Sequence, residues 1–208
     1  MTHETNLLYN NQSTVQSLYR KSTPTVVTAA TLQPLTLTEV KKHLEIDDDD
    51  SEHNTQLESM IDEACEQWES DTDSICMQRT LRITTNEFYD DFKLPLRPIT
   101  SITSLKYYDL NNVQQTLATT VYGFDAANRS IRLKTNQSLP TFTPRWDAFE
   151  ITYAAGHATA ATIPALWKRA MLLLIAYYFD SNRGDNDRLY DMKNYERLVL
   201  KCMRNTYP

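Results

Sequence analysis

Between residues 36 and 69, apolar side chains recur at steps of three and four. Leu37, Val40 and Leu44 fall on one helical face. Thr36 and Glu39 have the spacing of a capping box, so a helix is expected to start there. It ends before "DDDDSEHN". A second helix begins near Ser51, with carboxylates around an N-terminus whose dipole favours them. Its Leu57, Met60, Ile61, Ala64, Cys65 and Trp68 form an amphipathic stripe. After "SDTDSICMQ" the helical period gives way to alternation. "RTLRITTNEF", "FKLPLRPITSITSLKYYDL" and "WDAFEITYAAG" read as strands, with turns at Asn111 and Asn112 and in "DAANR" before "SIRLK". The helical period returns at Ile163 and Pro164, where proline suits a first turn, and runs to about Asn182, with Gly184 placed for a stop. A closing helix spaces Leu189, Met192, Tyr195, Leu198, Val199 and Cys202 on one face, with Lys201 and Arg204 near its C-terminal end.

The expected fold class is α+β, an α-helical bundle with an inserted small antiparallel β domain. Residues 34–78 supply the first helices, 79–155 the β unit and 160–208 the C-terminal helices. Residues 1–33 are rich in Asn, Gln, Ser and Thr without a sustained period, and are expected to form a mobile arm.

The helix from about 163 to 182 is apolar on more than one face. Leu166, Ala170, Leu173 and Tyr177 make one stripe, and Trp167, Met171, Leu174 and Tyr178 the next. A face that wide needs cover on two sides. One side is the chain's own fold. The second is either a neighbouring subunit or more of the same chain, and the sequence leaves both open. A membrane anchor is excluded, because Lys168 and Arg169 on one side and Asp180 and Arg183 on the other leave less than the roughly 20 apolar residues a span requires.

Charge and candidate chemistry narrow the function by exclusion. The chain has 208 residues and a net charge of −6, a poor balance for wrapping nucleic acid. Cys65, Cys76 and Cys202 have no CxxC spacing and read as reduced thiols. The N-terminus lacks a basic segment followed by an apolar one, so no signal peptide is expected. Asp47, Asp49, Ser51, His53 and Glu58 match the ligand positions of a calcium loop, but Glu52 stands where its sharp turn needs glycine. Carboxylates capping a helix explain the run more simply. His3, His43, His53 and His157 form no zinc spacing, and no nucleophile elbow, phosphate loop or dinucleotide fingerprint occurs. No cofactor and no catalytic residue are expected. Tyrosine occurs 12 times and clusters at Tyr107 and Tyr108 and again at Tyr177 and Tyr178, a usage that suits interfaces.

"PLTLTEVKKHLEIDDDDSEHNTQLESMIDEACEQWE" resembles the opening of the head–tail connector proteins of tailed bacteriophages, also called adaptors or head-completion proteins. "LPLRPITSITSLKYYDLNNVQQTL", "FEITYAAGH" and "IPALWKRAMLLLIAYYFDSNR" resemble the longer, β-inserted branch of that family, so the likeness covers about residues 34–184. Two stretches depart from it. "SDTDSICMQRT" lacks the glycine of a Thr-Gly-Arg-like turn, and "AAGHA" stands where Ala-Gly-Tyr-Gly is usual. The resemblance implies a structural virion protein and not an enzyme. It would be made in the host bacterial cytoplasm and sit in the neck, as a ring of about twelve copies bound under the portal protein. The ring extends the DNA channel without binding DNA specifically and offers a surface to a tail or stopper protein. In this reading Trp68, Trp167, Leu174 and Tyr178 make subunit contacts. Tyr195, Arg197, Lys201 and Arg204 face the portal, and Asp47, Asp48, Asp49 and Asp50 face the channel. The alternatives are a tail-completion or stopper protein of the neck and a small metal-dependent hydrolase using the acidic cluster.

Overall fold

In the computed structural model, which describes residues 23–182 and 192–204, the capping box forms as its spacing predicts. Glu39 N–H donates to Thr36 Oγ1 at 3.2 Å and Thr36 N–H donates to Glu39 Oε2 at 2.9 Å. This starts α1 (Leu37–His43). Lys168 Nζ donates to the other Glu39 oxygen at 2.8 Å, tying the cap to a distant helix. α2 (Asn54–Thr72) buries all six of the apolar residues read from its period. Asp73 closes α2 in the left-handed region (φ 49°, ψ 40°), and its N–H donates to Glu69 O. Asp is one of the few side chains that tolerate this conformation.

Contact clustering divides the chain into two units. The helical unit takes residues 29–78, 96–98 and 155–208 and adds α3 (Ala165–Asn182) and α4 (Met192–Arg204). Pro164 stands just before α3, and its carbonyl accepts the N–H groups of Trp167 and Lys168. α3 packs against α1, α2 and α4, and α4 also packs against α2. The shared core contains Leu57, Ile61, Trp68, Trp167, Met171, Leu174 and Tyr195. No helix among the described residues is long and apolar enough to cross a membrane.

Gly156 belongs to this unit and is required by its backbone. Its φ is +103°, and a Cβ there would lie 2.6 Å from the carbonyl carbon and oxygen of Met77. The close approach is held by His157 N–H to Cys76 O (3.0 Å), Gln78 N–H to His157 O (2.9 Å) and Gly156 N–H to Pro98 O (2.8 Å).

The β unit, 79–95 and 99–154 with the strand β1 (Thr25–Thr28), holds two sheets. The larger orders β1, β2 (Arg79–Thr85), β8 (Phe149–Ala155), β4 (Ile99–Tyr108) and β5 (Gln114–Thr116). The smaller orders β3 (Phe92–Lys93), β7 (Ser130–Leu133) and β6 (Tyr122–Asp125). Alternation in β2 and β8 buries Leu81 and Ile83, then Phe149, Ile151 and Tyr153. Phe88 stacks on Phe92 with centroids 5.4 Å apart and meets Phe149 at 5.9 Å. Both expected turns form: Asn112 (φ 61°) lies between β4 and β5, and Asp125 caps the turn between β6 and β7 by accepting Asn128 N–H at 3.1 Å.

Two expectations need correction. The second helix starts at Asn54 rather than near Ser51, and its N-terminus has no side-chain cap and no acidic residue in its first turn, so the carboxylates do not cap it. The arm reading assigned no element before residue 34, but Thr25–Thr28 is a strand pairing antiparallel with β2, irregular at Val27. Four consecutive β-branched residues after Pro24 carry that signal. Residues 1–22 of the arm, and Gly184 and Leu189, lie outside the described residues.

Candidate assembly surfaces

The residues expected to touch a neighbouring subunit are inside the chain's own core. Trp68 and Leu174 are fully buried and Trp167 nearly so. The Trp68 ring lies 5.7 Å from that of Trp167 and 6.3 Å from that of Tyr195. The physical reason is that α2 and α4 both pack against α3, so this chain itself covers the stripe of Trp167, Met171 and Leu174. Tyr178 is half-buried and packs against the same core. The outer stripe is less covered: Leu166, Leu173 and Tyr177 are each half-buried.

Tyr195 is likewise no surface residue. It is 3% exposed and its hydroxyl donates to Asp71 Oδ2 at 2.7 Å. Burial, then the Asp71 carboxylate, push its pKa far above the ordinary tyrosine value. Arg197 and Lys201 stand exposed on the opposite side of α4, beside exposed Leu200. The Arg204 side chain lies outside the described residues.

In the acidic stretch, Asp47, Asp48 and Asp49 are exposed and Asp50 is half-buried. The segment folds around a lysine of its own chain. Lys41 Nζ donates to Asp48 O at 3.0 Å and to Asp50 O at 2.5 Å. Asp50 Oδ2 meets His53 Nδ1 at 2.8 Å and Asp50 Oδ1 accepts Glu52 N–H at 2.9 Å. The His53 bond, ahead of the others, lowers the Asp50 pKa. Two backbone carbonyls in the loop thus already serve an ammonium group.

Cys65, Glu69 and Cys76 bring two buried thiols and a carboxylate within 4.8 Å of one another. Glu69 Oε1 accepts Cys76 N–H at 2.7 Å and faces Cys65 Sγ at 3.8 Å, and Cys76 Sγ lies 4.0 Å from Met171 Sδ. The carboxylate holds the chain where it leaves α2, the stretch in which the family's glycine turn is missing.

Periodicity missed the surface residues that stand out most. Seven large apolar residues are exposed among those described, and five belong to the β unit: Val26, Val27, Leu110, Val113 and Trp146. Trp146 is 72% exposed, yet both neighbours are fixed. Arg145 forms a two-pronged ion pair with Asp147, donates to Asn112 Oδ1 at 2.7 Å and lies 3.9 Å over the Tyr108 ring. Thr143 N–H donates to Tyr108 O at 2.9 Å. The loop is therefore docked on the β4–β5 hairpin, whose tip carries Leu110 and Val113. Beside it, Asn86, Glu87, Phe142, Pro144, Arg145 and Trp146 line an open cavity of about 340 Å³. The available sequence signal is a tryptophan in the polar, proline-bounded "PTFTPRWD", where no period places it in a core.

Comparisons with known proteins bear on this geometry. No curated protein matches the chain. Among solved structures, a chain from the neck of an empty gene transfer agent particle, computed with C6 symmetry, superposes with a TM-score of 0.70 at 23% identity, covering 87% of this chain and 95% of that one. A chain from the virion of a native gene transfer agent particle gives 0.70 at 21% identity, covering 86% and 94%. A chain from the neck of a native particle, computed with C12 symmetry, gives 0.68 at 23%, covering 87% and 94%. At these identities the likeness is one of fold. In sequence, residues 34–122 match the family described as phage gp6-like head-tail connector protein. That match bears out the resemblance read from the opening helices: the chain is similar there to the phage gp6-like head-tail connector family.

Proposed function

We propose that the chain is a structural head–tail connector in the neck of a phage-like particle. Copies of it form a ring of about twelve beneath the portal, continue the DNA channel and present a surface to tail or stopper proteins. The observation that carries this reading is the coincidence of a connector-family sequence match with a fold shared over most of the chain with particle-neck chains. Two of those structures were computed with C6 and C12 symmetry, which favours a ring.

Exposed Asp47, Asp48 and Asp49 suit a channel wall, because like charge lets a polyanion pass without adhering. Arg197 and Lys201, exposed on α4, are the residues of the portal set that remain available for contact. An electron cryomicroscopy map of the neck of particles that contain this chain tests the proposal. A closed ring of copies between portal and tail is expected. Absence of the chain from the neck, or its presence as an isolated copy, refutes it.

A further inference from the structure

We propose that neighbouring copies of this chain join edge to edge through the five-stranded sheet, with β1 of one copy meeting the β4–β5 hairpin and Trp146 of the next. The inference rests on the ring reading above and names the surfaces that build it. It replaces the α3 contacts expected from the sequence.

Three observations carry it. First, the sheet order puts β1 at one margin and β5 at the other, and neither has a second strand neighbour among the described residues. Second, the exposed apolar residues of the β unit divide between those margins: Val26 and Val27 on β1, Leu110, Val113 and Trp146 at the hairpin. A head-to-tail contact needs two different surfaces on one subunit, whereas a twofold dimer needs only one that complements itself. Third, neither margin strand carries a charge of the kind that keeps free edges apart, although both are short and β1 is irregular at Val27. "TVVT" and "QQT" contain no charge and no proline. Of the carboxylates nearby, Asp109 is occupied by its own turn: it accepts Val113 N–H at 3.0 Å, Gln115 Nε2 at 2.9 Å and Asn111 N–H at 2.9 Å. Arg145 is neutralised by Asp147.

The occupant is a second copy because the two margins suit each other. One is a short uncharged strand with two exposed valines. The other is an uncharged hairpin edge beside an aromatic ring held out from a fixed loop. A tryptophan whose flanking residues are pinned loses little freedom on burial, the condition under which such a ring dominates an interface.

The test is complementation by the full-length chain in sedimentation velocity, up to about 1 mM, a range that reaches weak millimolar contacts. The parent is expected to associate beyond dimers. Val26→Lys damages one margin and Trp146→Lys the other. Each alone is expected to lose association by about tenfold or more, the effect of removing a central contact, with an unchanged circular dichroism spectrum. An equimolar mixture still holds one intact margin of each kind and is expected to form dimers and nothing larger. Should a lysine variant lose its fold, Val27→Ser and Val113→Ser replace the pair with the same expectation.

A parent that stays monomeric, a variant that associates like the parent, or a mixture that stays monomeric overturns the inference. If the neck map shows a ring of copies while any of these results holds, the ring reading stands and the edge contact falls. If the neck lacks the chain, both fall.

Discussion

Replacing Leu174 by alanine separates a core residue from an interface residue. Leu174 is fully buried in the helical unit's own core. Truncation removes three carbons, which costs about 2–2.5 kcal/mol in lost transfer free energy. The space left behind adds to this at about 24 cal/mol per Å³, so an unrelaxed void of about 50 Å³ contributes a further ~1 kcal/mol. The total, about 3–4 kcal/mol, is a large share of the roughly 5–15 kcal/mol that hold a domain folded. Urea denaturation of the dilute, unassociated chain measures it, and a thermal midpoint lowered by about 6–16 °C accompanies it. Leu173→Ala, on the half-buried outer stripe, is the internal control and is expected to cost about 1 kcal/mol. If Leu174→Ala costs the isolated chain under about 1 kcal/mol while abolishing assembly, Leu174 is a subunit contact and its assignment to the core is refuted.

Gly156→Ala combines a left-handed φ with a contact of 2.6 Å to the Met77 backbone, and is expected to destabilise by about 3 kcal/mol or more in urea denaturation. Tyr195→Phe removes a bond to a carboxylate and is expected to cost about 1–2 kcal/mol in the same measurement. For Glu39, burial works to raise the pKa, but the bonds from Lys168 and Thr36 outweigh it and hold the carboxyl below its ordinary value of 4.5. A folded pKa below the unfolded one gives stability that is present above about pH 4.5 and lost as pH falls through the lowered value. Glu39→Gln is expected to flatten that part of the acid-unfolding curve, read by circular dichroism, and an unaltered curve contradicts the assignment.

Local chemistry made much of the fold legible. The Thr36–Glu39 box, the stripe along α2 and the asparagine turn after β4 each depend on a few residues close in sequence, and each forms. The β1 strand went unread because it is only four residues long, and its pairing partner lies more than fifty positions away, at Arg82 and Leu81. Asp73 shows a different gap. The stretch after α2 has no glycine to signal a helix stop, yet Asp73 closes the helix in the left-handed conformation.

Trp68, Trp167 and Leu174 lie inside their own chain for a reason of dimension. Periodicity reports how wide an apolar face is, and the width of α3 was read correctly. Which elements cover that face is a three-dimensional fact, and here α2 and α4 both pack against α3. A residue buried by its own chain and one buried by a neighbour look alike in sequence, because both must be apolar and regularly spaced. The exposed residues have the opposite signature. Trp146, Leu110 and Val113 follow no period and lie among turn residues, where burying them within the chain would require the loop to fold inward. Instead the Arg145–Asp147 pair and the Tyr108 ring hold the loop against the hairpin and leave the tryptophan in water. A ring held exposed in a fixed position is what the proposed edge contact would cover, and Trp146→Lys tests it.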